Sequence, residues 1–357
     1  MSAGFFVSRR ERDIVVAQGF TRFRKIQVAK QSVIGTAVPA TRILPYRGLI
    51  EYNPNRTDPD VDVGSVDPVL APYPLAPETT ISGATGPLDY DNLAIRMSAG
   101  IKGGVSPTGP TGGTAYTWTF TAASLTADSF DYYSVQTGDD TSDSAGAGSN
   151  GFGGVIDTLS EEFDEGLGPW TVSDDWVFAN ATYGNRTGAL SIAANPAWVF
   201  GADTAIYLDS NALAIGVTPL AAAVRGASVR VANNLDQKRY ADGSNVRFNL
   251  QAYGRGPREI EFTMTVEKTT ATIAEVATLD DAVVPNRYIK VASSSTELAG
   301  TAIPYSSNTF LPLRLISVSD GEIGGNANFT LTYRGFYDST LTYAYKRIIV
   351  NKLSTTP

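Results

Sequence analysis

The chain has 357 residues, enough for one to three domains, and 43% apolar against 18% charged residues describe a folded protein. It contains no Cys and no His, which excludes disulfides, thiolate nucleophiles, zinc sites built on those residues and every triad that needs an imidazole. Catalysis by paired carboxylates, Lys or Tyr stays open, and the formal net charge of −8 sets the molecule as a whole against nucleic acid. Abundant Thr, Ser, Gly, Val and Tyr with few long apolar helical patterns point to a mainly β architecture rich in turns.

Residues 1–41 read as an arm. Their start is only briefly apolar, and Arg9, Arg10 and Arg12 follow that stretch instead of preceding it, so no secretory signal is expected. No run of about 18 apolar residues exists, and no membrane span is expected; folding in a cytoplasm is. Arg9, Arg10, Arg12, Arg22, Arg24, Lys25 and Lys30 make the arm basic, as a solvated or interface-forming tail would be. It contains no nucleic-acid-reading module.

A first strand is expected over 43–52, then an excursion over 53–77 rich in Pro and Asp. Asp58, Asp60 and Asp62 alternate there with the spacing of a calcium loop's ligands. However, Gly64 is one place late, no Glu closes the loop and no helix flanks it, so a solvated acidic loop is the better reading. A short strand follows over 79–84. Asp91-Asn92 is read as the cap of a short helix through Leu93, Ile95 and Met97, stopped at Gly103-Gly104. Tyr116, Trp118 and Phe120 share one face of a strand. Another strand is expected over 130–136, then a Gly, Ser and Asp loop over 138–154. Strands over 155–163 and 170–182 complete the first half. Glu161 and Glu162 are adjacent acids at a strand end, which does not provide the opposed pair a glycosidase needs.

Residues 184–224 are read as a connecting segment. The second half opens at Arg225-Gly226 with a strand over 228–232, then a charged excursion over 233–244 carrying Asp236, Lys238 and Arg239. Ile260, Phe262, Met264 and Val266 alternate cleanly, a short helix is expected over 272–279, and strands follow over 287–292, 310–319 and beyond.

The two halves run in the same order. Arg47-Gly48 and Arg225-Gly226 each open a strand, followed by a polar excursion, a strand, a helix, an aromatic strand and paired terminal strands. The offset is about 178 residues at the start, which reads as an internal duplication. In this scheme the aromatic strand 116–120 matches 288–291. The expected domains are 42–183 and 225–357.

Four segments, KQSVIGTAVPATRILPYRG, DNLAIRMSAGIKGG, NNLDQKRYADGSNVRF and ISVSDGEIGGNANFTLTYRGFYD, resemble the major tail tube proteins of long-tailed bacteriophages, most closely those of actinobacterial hosts. The resemblance covers nearly the whole chain from Lys30 to Asn351. It implies two tandem tail-tube-type β-sandwich or barrel domains, each with a flanking helix, and a structural virion protein that is not an enzyme and needs no cofactor or metal. It also implies stacked rings around a channel that DNA transits without specific binding, assembled in the host cytoplasm. Two such domains per chain imply a trimeric ring with pseudo-sixfold symmetry, the alternative being a hexamer. Partners would be further copies of the chain together with tape measure, tail terminator and distal tail proteins, with no membrane. The excursions (Asp58, Asp60, Asp62; Asp236, Lys238, Arg239) and the arm (Arg9, Arg10, Arg12) sit where ring-stacking contacts are expected. The competing expectation is a carbohydrate-binding surface or distal-tail β-protein that uses Trp170, Trp176 and Trp198.

Overall fold

The structure is a computed structural model that describes residues 24–53, 55–57, 73–74, 77–124, 126, 128–139, 148–165, 168–192, 195–220, 223–239, 252–281 and 283–357. Arg9, Arg10, Arg12, Asp58, Asp60 and Asp62 lie outside these residues.

The chain opens with β1 (Lys25–Gln31) and β2 (Arg42–Leu44), then β3 (Glu51–Asn53), β4 (Arg56–Thr57), β5 (Tyr73–Pro74) and β6 (Glu78–Pro87). Helix α1 (Tyr90–Gly100) leads to β7 (Thr108–Thr111), β8 (Ala115–Thr121), β9 (Tyr132–Gly138), β10 (Gly148–Asp164), β11 (Thr171–Val177) and β12 (Asn180–Gly184). The second half holds β13 (Thr204–Asp209), β14 (Val224–Ala232), β15 (Leu235–Lys238), β16 (Ala252–Arg255), β17 (Glu259–Glu267), helix α2 (Thr270–Ala277), β18 (Arg287–Gly300), β19 (Ile303–Ile323), β20 (Asn326–Gly335) and β21 (Lys346–Asn351).

Several elements differ from the sequence reading. Part of the expected arm is β1, whose Ile26, Val28 and Ala29 are buried beneath its basic ends. The first strand is broken: β2 and β3 are separated by an isolated bridge between Arg47 and Thr85. The α1 cap is Asp89, not Asp91-Asn92; its carboxylate accepts the Asn92 backbone N–H at 2.8 Å. Residues 148–154, expected in a loop, are the first part of β10. Their glycines are demanded by close approach, since a Cβ on Gly151 would lie 2.7 Å from the Phe178 ring. The expected connecting segment contains β13, which pairs with β18.

Among the described residues, seventeen strands join one antiparallel network, with β4–β5 and β15–β16 as separate hairpins. Two long strands carry the branching. The first part of β10 lies between β9 and β12, and its second part between β11 and β14. The first part of β19 lies between β18 and β21, and its second part pairs with β20.

The order of neighbours is the same in both halves. In the first it is β1, β9, β10, β11, β6, β3. In the second it is β13, β18, β19, β20, β17, β14. β12 corresponds to β21, the β4–β5 hairpin to β15–β16, and α1 to α2. Even β2, beside β1, has a counterpart in residues 218–220, which bond to β13 through Leu208 N to Thr218 O and Leu220 N to Ile206 O. Both long strands skip one residue at the same place, between Ile156 and Thr158 and between Leu315 and Ser317.

This register corrects two sequence matches. The counterpart of β18 is β9, not the aromatic strand 116–120. That strand is β8, part of an inserted hairpin with β7, and it pairs with β21. Arg47 opposes Thr85, four residues before the cap Asp89; Gly226 opposes Thr265, four residues before the cap Thr269. Arg47 thus corresponds to Gly226, and Gly48 to Ala227, one residue away from the Arg-Gly alignment. Arg225 sits at the bulge between Val224 and Gly226.

One hydrophobic cluster runs through both halves, from Ile26 and Trp176 to Phe262, Leu331 and Ile349. Neither expected domain boundary interrupts it.

Candidate assembly interface

The two halves meet where residues 158–164 of β10 pair with 226–232 of β14. Apolar side chains face each other there: Leu159 opposes Val231, and they are 3% and 2% exposed. The ladder ends in a bond from Glu165 N–H to the Arg225 carbonyl. The Arg225 guanidinium then reaches Glu267 at 2.8 Å and Glu165 at 3.3 Å, a half-exposed arrangement of modest strength.

The second half also covers α1. Asn351 donates its side-chain amide to the Tyr90 carbonyl at 3.0 Å, and Tyr90 stacks on Tyr305 with centroids 5.8 Å apart. Packed on β10 of its own half and covered by the second half, α1 has ten of its eleven residues buried.

Beneath the junction lies a buried charge cluster. Arg96 on α1 makes two 2.6 Å bonds to Asp174 and a further bond to Glu161. Arg347 on β21 reaches both Glu161 oxygens, at 2.6 and 2.8 Å, and Ser307 at 2.9 Å. Two cations and two anions balance, with every fork geometry used. Burial opposes the charged form of Glu161, yet Arg347 and Arg96 hold its carboxyl below the usual range. The carboxylate read at the sequence level as an adjacent acid is therefore fully engaged, and it ties the first half to β21 of the second.

The outer ends of the repeat lack these partners. Among the described residues, no strand pairs with the side of residues 47–53 that faces away from β6, although the corresponding side of β14 is paired with β10. Nor, among the described residues, does any strand pair with the side of 314–323 opposite β20, although the corresponding part of β10 is paired with β14. Exposed apolar residues mark these places: Leu49 at 40%, Tyr52 at 37% and Ile316 at 47%. Helix α2 buries only Thr272 and Glu275, and leaves Ile273 at 53% exposure.

Asp236 and Lys238 on β15 are exposed. Arg239 is tied back, donating to Gln237 at 2.6 Å and to the Pro77 carbonyl at 3.2 Å. The base of this hairpin rests on the first half: the Tyr253 hydroxyl donates to the Gly153 carbonyl at 2.6 Å. Of the three tryptophans of the carbohydrate-binding expectation, Trp170 and Trp176 are 2% and 1% exposed and closed to sugar stacking, and Trp198 is partly buried. Among the described residues, no helix is long and apolar enough to cross a membrane. The sequence matches no protein-family model and no curated protein.

Proposed function

We propose that the chain is a structural subunit of a bacteriophage tail tube, polymerising into stacked rings around a channel for the genome. The observation that carries this reading is the junction between its two halves. It joins two like units through strand pairing and, among the described residues, leaves the matching half of that junction unpaired at 47–53 and at 317–323. Such an arrangement propagates head to tail and closes into a ring when the rotation permits. Ring closure also removes the edge-to-edge hazard of open strands. An acidic protein suits a conduit, because DNA that adhered to the wall would not slide. Two units per chain favour three chains in a pseudo-sixfold ring over six. In a virion tail the tube would meet tape measure, terminator and distal tail proteins.

Negative-stain electron microscopy of the concentrated protein tests this reading. Rings or tubes are expected, with three chains per ring in a cryo-EM reconstruction. Monodisperse monomers at every concentration would refute it.

A further inference from the structure

The chain builds one junction of known register inside itself and carries both halves of a second. The register defines that second junction residue by residue. Thr158 and Ser317 are each the first paired residue after the skip in their long strands, so Leu159 corresponds to Val318. Arg47 and Gly226 correspond through their distance from the helix caps, and five residues on Tyr52 corresponds to Val231. The phase agrees, because Ile50 and Val229, the preceding inward residues, are both buried.

We infer that residues 317–323 of one copy pair antiparallel with residues 47–53 of a second copy, with Val318 opposite Tyr52 and Ile323 opposite Arg47. The same second copy lays its β10–β12 face over α2. The inference rests on the ring-forming reading, and it specifies the partner surfaces that reading leaves open.

Three observations support a second copy as the occupant. The Leu159–Val231 pair, buried inside the chain, has Val318 and the 37% exposed Tyr52 as its unpaired counterparts. Helix α1 packs on β10 and is covered on its other side by β21, whereas among the described residues α2, its counterpart, lacks such a cover and exposes Ile273. The counterpart of β21 is β12, which carries Tyr183 at 72% exposure. Both surfaces are therefore supplied by one copy in one orientation.

The two junctions differ in one respect. Glu161, which anchors the internal ion cluster, corresponds to Asp320. That residue is exposed and pairs with Lys268 of its own chain. The outer junction thus lacks the buried cluster and rests on strand pairing and apolar cover, as expected of a contact made during assembly.

The absence of native Cys makes a disulfide test clean. Tyr52→Cys with Val318→Cys in one chain places thiols directly opposite each other across copies, at a Cα separation of about 4.5–5.5 Å that suits a disulfide. Oxidation should yield a ladder of covalent oligomers on non-reducing gels, ending at the ring size. Tyr52→Cys with Glu322→Cys, four residues out of register, should not. A second variant, Ile273→Asp, should abolish assembly while leaving the monomer's urea midpoint unchanged, because Ile273 is already 53% exposed.

Rings without the Tyr52–Val318 cross-link, or with equal cross-linking from the out-of-register pair, would overturn the register and leave the tube reading standing. Normal rings from Ile273→Asp would overturn the α2 contact. Wild-type protein that stays monomeric, with no cross-link in either variant, would overturn both the inference and the function on which it rests.

Discussion

Glu161→Gln is the sharpest test of how the two halves are held together. Glu161 and Arg347 are each 5% exposed at the side chain, and Arg96 and Asp174 are 0% exposed, so water cannot rescue an unbalanced charge. The substitution keeps the shape but changes the cluster from neutral to one net positive charge. Removing one partner of a buried ion pair costs about 3–5 kcal/mol, because the remaining charge stays desolvated. Against a total stability of about 5–15 kcal/mol, that is a large fraction. With a urea slope on the order of 3 kcal/mol/M, the midpoint should fall by about 1 M or more. The assay is urea unfolding followed by tryptophan fluorescence and circular dichroism together, whose coincidence establishes a single transition. The double variant Glu161→Gln/Arg347→Met restores neutrality, with Arg96 still paired to Asp174, and should recover most of the loss. A single variant within about 1 kcal/mol of wild type, below the cost of an uncompensated buried charge, would refute the argument. So would a double variant no more stable than the single.

Burial, outweighing the Asn92 amide, raises the Asp89 carboxyl from 3.8 to about 6. The folded state therefore holds this proton more tightly, and stability should fall as pH rises from about 4 to about 6, by at most about 3 kcal/mol. Asp89→Asn, which keeps an oxygen for the cap, should flatten that part of a stability–pH curve; an unchanged slope would count against it. Gly103→Ala would bring a Cβ within 2.3 Å of the Asp131 nitrogen and 2.4 Å of the Phe130 carbonyl carbon, backbone atoms that cannot step aside. A loss of about 3 kcal/mol is expected. The neighbouring Gly104→Ala meets no atom within 4 Å, and only its φ of +67° is strained, which costs about 1–2 kcal/mol; thermal denaturation should rank the two in that order. Trp118→Phe removes the indole donor to Asn351 (3.1 Å) and Leu353 (3.0 Å). About 1–3 kcal/mol should be lost, with hydrogen exchange faster along β21, and unchanged exchange there would contradict the assigned bonds.

Elements whose sequence states its own period were legible. β17 alternates Ile260, Phe262, Met264 and Val266, and all four are buried on one face. The α2 helix and its Gly- and Pro-free interior were equally plain. β1 was hidden because basic residues around it resemble a solvated arm, and the alternation beneath them is short. The first part of β10 was hidden because glycine reads as loop. In the folded sheet Phe178, in the link between β11 and β12, packs so close to Gly151 and Gly154 that a Cβ there would lie 2.7 Å from its ring.

The candidate interface divides along the same line. Order and spacing along the chain sufficed to suggest two like halves, since recurrence is a one-dimensional property. Which strands correspond was not available there, because the β7–β8 insertion supplies an aromatic strand at the place where β9 should be matched. Nor could charge pattern reveal that Glu161 joins Arg96 and Arg347, 65 and 186 residues away. A β-rich composition, an acidic balance and a repeated order follow from the sequence itself, because each is written locally. The register of the junction, the burial of its charges and the two edges left open depend on which distant strands lie side by side, and only the folded sheet decides that.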